Sequence, residues 1–387
     1  MTRARIHRPV HLGQPDHLLM LLVGTLILIG LEVVFSSTFA LALGERDNVF
    51  FYLIMQGIWA AIGTILLVIC MRIDYHIWLK LSPILICLAI VLLLLVLTPV
   101  TGVSVYGATR WLRLGPLPAV QPSEFVKLAI VIGLAAWLSG PSERTQTFSR
   151  GLVPFGMFVG VIALLVMQQP DLGTTLVILL TSTTMFFLAG ADLRSLVTLG
   201  AVGLSGVVAL AIGASYRLSR WQSFLDPWQD PSGVGYHIIQ LLIALGSGGL
   251  FGLGVGASRQ KFSYIPGAHT DGVFAIIGEE MGFVGCVAIL ALFCALLYRG
   301  VLIARRAPDI QGALLACGIV AWLGYQALIN IAGITRSLPL TGIPLPFISY
   351  GGSALAASMM AVGILLNISR QKEQPQEAAE PSYSWSR

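Results

Sequence analysis

Apolar and polar residues follow one another along this chain in long blocks rather than in short alternation. Ten apolar stretches of roughly 16 to 26 residues are separated by short segments rich in polar residues, glycine and proline. A mostly uncharged stretch of roughly 20 residues is long enough to cross the hydrocarbon core of a bilayer as a helix. The pattern therefore predicts ten transmembrane helices, over 18–43, 49–71, 81–98, 124–139, 151–167, 173–189, 196–215, 273–298, 312–332 and 351–368.

The composition supports an all-α integral membrane protein. Of the 387 residues, 56% are hydrophobic and only 11% are charged, and the mean hydropathy is +0.85. So few charges cannot cover the surface of a soluble domain, so most of the chain must face lipid or other helices. We predict one membrane domain, 18–370, after a leader, 1–17, and before a polar tail, 371–387, that we expect to be disordered.

The basic residues predict the orientation of the chain. If the N-terminus is cytoplasmic, the cytoplasmic segments hold 14 of the 23 Lys and Arg residues, and the short outer turns hold almost none, with Arg46 as the exception. Cytoplasmic loops of membrane proteins carry an excess of Lys and Arg. The sequence thus predicts an N-in/C-in protein with a large outer loop, 216–272, between the seventh and eighth helices.

Within this outer loop, the apolar, glycine-rich stretch 237–256 resembles an eleventh span. A crossing there would invert the rest of the chain and place Arg299, Arg305 and Arg306 outside. The charge rule opposes that arrangement, so we predict an interfacial or re-entrant segment. Its glycines also suggest a phosphate-binding loop, but no Walker lysine pattern follows and no strand precedes it, so close helix packing is the preferred explanation.

The five cysteines give no further candidate site. Each lies within an apolar span, and no spacing typical of a metal site links them. Cys286 and Cys294 are eight residues apart and could share a helix face, yet packing as small core residues explains them more simply. The sequence predicts no disulfide framework.

Three outer segments, 99–123, 216–272 and 333–350, fall on the same side under this topology, which favours a single outward-facing site. In the first, Arg110, Trp111 and Arg113 form an amphipathic stretch, for which a position in the membrane interface is the simpler explanation.

Two further acidic positions lie beside the outer segments. Glu124 and Lys127 stand three residues apart at the start of a helix, so a structural ion pair and a role in substrate binding both stay open. Asp171 lies in a tight turn before Gly173, where a structural role is favoured.

The richest motif precedes the eighth helix, where His269, Thr270 and Asp271 follow one another. Thr270 or Asp271 could be only a helix N-cap. Glu279 and Glu280 follow about two turns later. A carboxylate pair within a span is costly, so we expect it to face a polar cavity or a basic partner, with Arg259, Lys261 and Arg336 as candidates.

Six motifs in this order resemble the SEDS family (shape, elongation, division and sporulation), which includes FtsW, RodA and SpoVE. They are GATRWLRLGPLPAVQPSEFVKLA, QQPDLGTT, FLDPWQDPSGVGYHIIQ, GSGGLFGLGVGASRQKFSYIPGAHTD, AIIGEEMGF and TGIPLPFISYGGS. The resemblance extends from the first span to Asn367. SRQKF and IIGEE look more like the division branch, FtsW, than RodA.

The resemblance implies a ten-helix peptidoglycan glycosyltransferase in the cytoplasmic membrane of a bacterium. Such an enzyme polymerises lipid II, an undecaprenyl-pyrophosphate glycolipid, at the outer face of the membrane, here for septal wall synthesis in cell division. The resemblance also implies a class B penicillin-binding protein as transpeptidase partner and contacts with other divisome or elongasome membrane proteins, but no nucleic acid. A RodA-type elongation polymerase that sets cell shape, a lipid II flippase and a scaffold that only recruits partners are the alternatives.

The family's essential carboxylate corresponds to Asp271, and other functional positions correspond to Trp111, Glu124 and Lys127. We expect Asp271 to act as general base at the outer mouth of a lipid-accessible cleft. Candidate substrate-binding residues are Arg110, Trp111, Arg113, Glu124, Lys127, Arg217, Arg259, Lys261, His269, Thr270, Glu279, Glu280, Arg336 and Ser349.

The leaving pyrophosphate needs positive charge, for which Arg110, Arg113, Arg217, Arg259 and Lys261 are the candidates. A divalent cation, Mg²⁺ or Mn²⁺, could share that task, although the sequence shows no ligand cluster. The chain departs from the usual family pattern beside the key acid, with Gly267 where many members have Glu and Gly272 where Phe is common. These two glycines either loosen the loop or reshape its pocket.

Overall fold

The protein was analysed as a computed structural model, which describes residues 11–46, 48–98, 101–105, 108–113, 119–140, 147–212, 221–260, 265 and 267–372. Helices dominate these residues. The helices that define the fold are α1 (His17–Arg46), α2 (Phe51–Arg72), α3 (Tyr75–Lys80), α4 (Ser82–Val96), α5 (Pro122–Leu138), α6 (Val153–Gln168), α7 (Leu172–Leu188), α8 (Leu193–Ile212), α9 (Tyr236–Ser247), α10 (Val273–Arg305), α11 (Ile310–Ile334) and α12 (Gly352–Arg370). A π-helical turn, Phe148–Leu152, leads into α6.

A helix occupies each of the ten predicted spans, with bounds that differ from the prediction by a few residues, except at the longer end of α10. Among the described residues, six helical stretches are long and apolar enough to cross a membrane: His17–Phe39, Phe51–Arg72, Phe148–Gln168, Val273–Arg305, Ile310–Ile334 and Gly352–Arg370. The other apolar helices are shorter. The multi-pass helical fold is therefore confirmed, whereas the count of ten crossings and the N-in/C-in orientation stay predictions.

Helices α5 and α12 form the centre of the bundle. Both are buried over most of their length, and α12 packs along α2 while α5 packs against α4, α7 and α11. By contrast, α2 exposes a row of isoleucines, Ile54, Ile58, Ile62, Ile65 and Ile69. A helix that is apolar on all sides is typical of a core, and an exposed apolar face is typical of a lipid contact. Polar side chains on α5 therefore lie inside the protein.

Two short β-pairs depart from the all-α prediction. The first predicted outer segment contains an antiparallel hairpin of β2 (Gly102–Val105) and β3 (Ala108–Leu112). Near the termini, β1 (His11–Leu12) pairs with β4 (Gln371–Lys372). The regular structure thus continues two residues past the predicted start of the tail. Residues 1–10 of the predicted leader and 373–387 of the predicted tail lie outside the described residues.

The glycine-rich stretch after α9 returns to the helix bundle. Helix α9 has 12 residues and is about 18 Å long, which is too short to cross a membrane. The chain that follows bonds to the middle of α10: Leu253 N donates to Glu279 O at 2.9 Å, and Phe283 N donates to Gly249 O at 2.9 Å. The stretch therefore folds back onto the bundle, and its interfacial or re-entrant position in the membrane stays a prediction.

Glycine is required where this segment meets α10. Gly282 adopts φ 69° and ψ −164°, which interrupts α10, and only glycine adopts this conformation readily. A Cβ atom on Gly282 would lie 2.6 Å from Leu250 O, and one on Gly248 would overlap Gly278 O. Close backbone packing, preferred from the sequence over a phosphate-binding loop, therefore explains Gly248 and Gly252, whereas Gly249, Gly254 and Gly256 have open space and positive φ.

The long helices connect two ends of the bundle. The Asp271 end contains Asp271, the start of α2, α5, α10 and α12, and the end of α11. The terminal end contains the β1–β4 pair, the turn between α2 and α3, and the start of α11. The three predicted outer segments gather at the Asp271 end, where Tyr350 N donates to His269 O at 2.8 Å and Gln121 N donates to Ser353 Oγ at 3.0 Å.

Candidate functional site

Asp271 lies in a tight turn immediately before α10 and is half-buried. The turn is closed by the main-chain bonds from Thr270 N and Gly272 N to Gly267 O, at 2.9 and 3.3 Å. The N-cap of α10 is Gly272, and no side chain caps the helix there. The N-cap interpretation of Thr270 and Asp271 is therefore wrong, and the Asp271 carboxylate is not used to begin the helix.

A hydroxyl and two glycines surround the Asp271 carboxylate. The single hydroxyl hydrogen of Thr270 is within bonding distance of two acceptors, Asp271 Oδ1 at 3.1 Å and Gly267 O at 2.9 Å. A Cβ on Gly267 would lie 2.8 Å from Oδ1, and a Cβ on Gly342 would lie 3.5 Å from Oδ2. Gly267 has φ +66°. Any larger residue at position 267 would crowd the carboxylate, so this glycine reshapes the pocket.

The second departure from the family pattern, Gly272, also serves packing. A Cβ at this position would lie 3.2 Å from Ile265 Cγ2 and 3.3 Å from the Cα of Ala268. The turn before α10 can therefore fold tightly onto Ile265 and Ala268, both of which are buried. Of the two effects considered for Gly272, the close contacts favour a change in the shape of the turn over a looser loop.

Three aromatic rings pack together beside Asp271. The ring centroids of Tyr52, His269 and Tyr350 are separated by 5.6, 5.4 and 5.5 Å, which is within the usual range for edge-to-face contacts. Burial raises the pKa of the Tyr350 phenol, so this hydroxyl stays protonated at neutral pH. The three rings thus form one aromatic cluster, which His269 joins to the turn that holds Asp271.

Glu124 and Lys127 form a buried ion pair on α5. Lys127 Nζ lies 2.9 Å from Glu124 Oε1 and 2.6 Å from Gln326 Oε1, and it stands 5.3 Å from the ring centre of Trp322. The side chains of the pair are 1% and 2% exposed. A charge pair this deep is supported by its hydrogen bonds and by the aromatic ring. The burial favours the structural alternative for this pair.

Glu279 and Glu280 hold the loop that follows α9. Glu279 accepts from Ser258 Oγ and from Arg259 N, the latter at 2.9 Å. Glu280 accepts from Ser36 Oγ at 2.6 Å and from Ser258 N at 3.4 Å. A carboxylate can be stabilised by main-chain N–H groups as well as by cations.

The basic partners expected for these two glutamates are therefore revised. The contact from Arg259 comes from its main chain, and its side chain is exposed. Arg336 donates instead to Phe224 O at 2.9 Å and to Leu225 O at 2.7 Å, so it ties two outer segments together. Lys261, like Arg217, lies outside the described residues.

The first outer segment presents its residues on the hairpin. Arg110 donates to Gln169 O at 3.3 Å and to Pro170 O, which secures the turn between α6 and α7. Trp111 is half-buried on the same strand, and Arg113 is exposed just beyond it. Of the candidate cations for pyrophosphate that the structure describes, Arg113 and Arg259 have exposed side chains.

The two remaining polar candidates shape the local chain. Asp171 is the N-cap of α7 and accepts from Thr174 N at 3.1 Å and Thr174 Oγ1 at 2.9 Å, so its predicted structural role is confirmed. Ser349 is buried and accepts from Leu345 N at 2.8 Å, which closes the loop before α12. Gln56 Nε2 donates to Ser349 O at 3.2 Å.

Several residues at this site were missed from the sequence. Asn330 Nδ2 donates to Asp271 O at 3.0 Å, and Gln326 bonds Lys127. Both interrupt an apolar span, which was a usable signal because polar residues within spans usually face the bundle interior. Tyr52 and Tyr350 carried no comparable signal, since tyrosine is common at membrane interfaces.

Burial separates Asp271 from four other acids of this end, whereas Asp226 and Asp230, in the loop before α9, are exposed. Glu124, Asp171, Glu279 and Glu280 are 0%, 1%, 1% and 3% exposed, and each is engaged by protein donors. Asp271 alone among these five is half-buried, and within the described residues Thr270 is the side chain that bonds its carboxylate. Among the described residues, no side chain donates a hydrogen bond to its second oxygen, Oδ2.

A cavity of about 300 Å³ opens between α2, α3, α4, α5 and α12. Its lining is apolar and includes Pro122, Phe125, Ala129 and Ile132 of α5. These positions lie on a different face of α5 from Lys127, and the lining includes no residue of the turn around Asp271. Within the described ranges, no group of three or more His, Cys, Asp or Glu side chains is placed to hold a metal ion.

Comparison with known proteins gives a consistent family. The family model described as cell cycle protein, which covers FtsW, RodA and SpoVE, matches residues 16–374. Stage V sporulation protein E of Bacillus subtilis is 46% identical over 356 residues, which cover 92% of this chain and 97% of that protein. FtsW of Geobacter sp. (strain M18), named as a peptidoglycan glycosyltransferase, is 40% identical over 92% of this chain and 96% of that protein.

Solved structures share the fold. A chain in the structure described as "Structural coordination of polymerization and crosslinking by a peptidoglycan synthase complex" superposes with a TM-score of 0.75 at 29% identity, over 93% of this chain and 99% of that chain. The rod shape determining protein RodA of Thermus thermophilus superposes with a TM-score of 0.68 at 29% identity, over 93% of this chain and 98% of that chain.

Proposed function

Because the chain belongs to the FtsW, RodA and SpoVE family of cell cycle proteins, we propose that it is a peptidoglycan glycosyltransferase. Its substrate is lipid II, which it polymerises into glycan strands at the outer face of the bacterial cytoplasmic membrane for septal wall synthesis. The observation that carries the proposal is the half-buried Asp271 carboxylate. Four neighbouring acids, Glu124, Asp171, Glu279 and Glu280, are buried and bonded, and Asp226 and Asp230 are exposed in the loop before α9.

In the proposed reaction, Asp271 acts as general base. The 4-hydroxyl oxygen of the acceptor sugar attacks the anomeric carbon of the donor, and the bond from that carbon to pyrophosphate breaks. The hydroxyl proton passes to the Asp271 carboxylate, and undecaprenyl pyrophosphate leaves with the bonding electron pair. Thr270 Oγ1 lies 3.1 Å from Oδ1, so Oδ2 is the oxygen that would receive the proton. General-base catalysis typically contributes about 10²- to 10⁴-fold.

The leaving pyrophosphate needs positive charge near the same mouth. Arg113 and Arg259 are the described candidates, because their side chains are exposed at the Asp271 end, and Arg217 and Lys261 complete the proposed set. Lys127 would not contact the pyrophosphate, because its ammonium group is bonded to Glu124 and Gln326. It would act by holding Gln326, which bonds the loop before α12. A divalent cation would take most of its ligands from the substrate phosphates, and no step proposed here depends on it.

The remaining candidates would form the walls of the site. His269 and its two tyrosine neighbours would contact the sugars, and Trp111 would lie near the membrane surface. Glu279, Glu280, Arg336 and Ser349 would act by holding the loops that surround the substrate. This arrangement requires the Asp271 end to face outward, with both termini in the cytoplasm.

We further propose a membrane-bound crosslinking partner, a class B penicillin-binding protein, together with other proteins of the division complex. The support is the fold match to a chain of a peptidoglycan synthase complex. Polymer made by this chain would then be crosslinked as it emerges.

The test is polymerisation of lipid II by the purified protein, with and without the partner. Wild-type protein should make glycan strands, and Asp271→Asn should lower the rate by about 10³-fold or more, because the amide cannot take up the proton. Melting temperature and membrane insertion should match the wild type. Strand synthesis by Asp271→Asn at the wild-type rate would contradict the assignment, and an assay with and without EDTA would measure any need for a divalent cation.

The same assay separates the competing classes. A lipid II flippase would move substrate across vesicles and make no polymer, and a scaffold would do neither. Transport needs a polar path through the middle of the membrane, whereas the half-buried acid here lies at one end of the bundle.

Two other cellular roles remain for the same reaction. The 46% identity to stage V sporulation protein E favours a role in sporulation as a second candidate, and the fold match to RodA makes elongation a third. Depletion in the host distinguishes them: loss of septal synthesis supports division, a defect confined to spores supports sporulation, and loss of rod shape supports elongation.

A further inference from the structure

Helix α11 places two amide side chains beside the candidate site, Gln326 and Asn330. They are four residues apart, and positions i and i+4 lie on the same face of a helix. Their exposed fractions are 0% and 3%. A buried amide is costly unless it is hydrogen-bonded, so the partners of these two side chains define what they do.

Each amide bonds a main-chain carbonyl of the loop between α11 and α12. Gln326 Nε2 donates to Pro344 O at 3.0 Å, and Asn330 Nδ2 donates to Ile343 O at 2.7 Å. The carbonyls belong to consecutive residues, so the two side chains fix this loop at adjacent points. Because a carbonyl only accepts, the orientation of each amide group is determined by its partner.

Each amide also bonds a residue of the candidate site. Gln326 Oε1 accepts from Lys127 Nζ at 2.6 Å, and Asn330 Nδ2 donates to Asp271 O at 3.0 Å. Through these two amides, one face of α11 bonds the buried Lys127, the consecutive carbonyls of Ile343 and Pro344, and the carbonyl of Asp271. Gly342, which precedes Ile343, lies close to Asp271 Oδ2, since a Cβ atom on Gly342 would be 3.5 Å from that oxygen.

We propose that Asn330 is a positioning residue for the Asp271 carboxylate. Its amide group joins the carbonyl of Asp271 to the carbonyl of Ile343 and so fixes the position of the carboxylate relative to Gly342. Asn330 acts through the main chain and does not touch the reacting atoms. The inference rests on the proposed function, in which Asp271 is the general base.

The unmatched acceptor of Asn330 supports a role beyond packing. Within the described residues, Asn330 Oδ1 is buried without a hydrogen-bond partner. Leaving a buried acceptor unsatisfied costs about 1–3 kcal/mol, and an apolar residue of similar size would avoid this cost. What the amide provides at this position is a pair of donors for two carbonyls that converge at the site.

Asn367 on α12 offers a matched control at the terminal end. It is 1% exposed, its Nδ2 donates to Met71 O at 2.9 Å, and its Oδ1 accepts from Tyr75 N at 3.0 Å. It is therefore a second buried asparagine that joins two main-chain groups, at the opposite end of the bundle from Asp271.

The kinetic test compares Asn330→Ala with Asn367→Ala in purified protein supplied with lipid II. For Asn330→Ala we expect kcat to fall about 10- to 100-fold with KM changed by less than about threefold, because misplacing a catalytic group by about 1 Å can cost that much. Both variants lose buried hydrogen bonds, so they should lower the melting temperature by similar amounts. Asn367→Ala should nevertheless keep kcat within about threefold of the wild type. Asn330→Gln, which retains the amide, should recover part of kcat.

Two results would overturn the proposal: a kcat for Asn330→Ala within about threefold of the wild type, or an equal loss of kcat in Asn367→Ala. If Asn330→Ala does not fold, Asn330→Gln and Asn330→Ser take its place against the same control.

A second readout does not need activity. In hydrogen–deuterium exchange, Asn330→Ala should speed exchange of the amides in 267–272 and 343–350 and leave 73–81 unchanged, and Asn367→Ala should show the reverse. Unchanged exchange around Asp271 would contradict positioning by Asn330. If the wild type makes no polymer, the proposed function fails, and the exchange data still decide the role of Asn330.

Discussion

The two ends of helix α11 each lie beside an aspartate and a histidine, and the two groups are bonded very differently. At the terminal end, His76 stands between two carboxylates: its Nδ1 lies 2.7 Å from Asp74 Oδ1, and its Nε2 lies 2.8 Å from Asp309 Oδ2. Asp309 also accepts from Gly312 N at 2.6 Å as the N-cap of α11. This group, the His76 cluster, holds helix ends together.

At the Asp271 end, the histidine and the aspartate are two residues apart in the sequence but contact different groups. His269 packs against Tyr52 and Tyr350, and the Asp271 carboxylate accepts from the Thr270 hydroxyl. A carboxylate whose oxygens are filled by strong donors is poorly suited to take up another proton. The hydrogen bonds of the carboxylate, rather than the presence of Asp and His, therefore distinguish a candidate base from a structural pair.

The largest expected difference between the ends concerns glycines with positive φ. Gly267→Ala would place a Cβ 2.8 Å from Asp271 Oδ1, whereas Gly190, with φ +88° beyond the end of α7, has open space around it. Gly267→Ala should lower the polymerisation rate by about 10²-fold because it displaces the carboxylate. Gly190→Ala should cost about 1–2 kcal/mol of stability.

Steady-state rates and melting curves of the two variants measure this prediction. The rate of Gly190→Ala should stay near that of the wild type. Equal losses of rate in both variants would mean that the Asp271 turn is not special.

A smaller effect is expected from pH at the His76 cluster. The hydrogen bond to Asp309 raises the pKa of His76, and Asp74 adds to this although burial opposes it. Burial would raise the pKa of Asp74 and of Asp309, but their hydrogen bonds with His76 and with main-chain N–H groups lower it overall. The histidine contribution is complete below about pH 6.5 and is lost as pH rises through its raised pKa.

The aspartate contributions are present above about pH 4 and are lost as pH falls through their lowered pKa values. The melting temperature of the wild type should therefore decline as pH rises from 6 to 9, and His76→Gln should flatten that slope. Asp309→Asn should flatten it too. A slope that persists in His76→Gln would show that the cluster is not its source.

The smallest expected effect compares two arginines that bond main-chain carbonyls. Arg336 joins the outer segments through Phe224 and Leu225, and Arg370 bonds Gly13 O at 3.3 Å and Met71 O at 3.5 Å at the terminal end. Arg336→Gln should lower the polymerisation rate by about three- to tenfold, since charged hydrogen bonds contribute about 1.5–3 kcal/mol. Arg370→Gln should change the rate by less than about twofold. Equal rates in the two variants would remove Arg336 from the site.

The helices could be predicted because each is encoded locally. A run of apolar residues indicates a span wherever it occurs, and the charges after α10 led to the prediction that 237–256 is interfacial or re-entrant. The hairpin of β2 and β3 was not predicted, since its strands of four and five residues give little pattern. Nor does hydropathy distinguish α5, which is central, from α2, which is exposed to lipid.

The candidate site was predicted in part, for the same reason. His269 and Asp271 belong to one short motif, so the sequence identified both as candidate site residues. The contact of Lys127 with Gln326 joins residues 199 positions apart, and that of Asn330 with Asp271 joins residues 59 apart. Of the basic partners expected for Glu279 and Glu280, Arg259 and Arg336 do not bond them through their side chains, and Lys261 lies outside the described residues. Serine hydroxyls and main-chain N–H groups, which hydropathy does not reveal, bond the two carboxylates instead.

The interruption of α10 at Gly282 divides this helix into two lengths with separate surroundings. Before it, residues 273–280 are all buried. After it, Phe283, Val284, Val287 and Leu290 are 62%, 52%, 44% and 41% exposed. The part of α10 after Gly282 therefore contacts the bilayer and must match its thickness. The part before Gly282, which begins two residues after Asp271, is surrounded by protein.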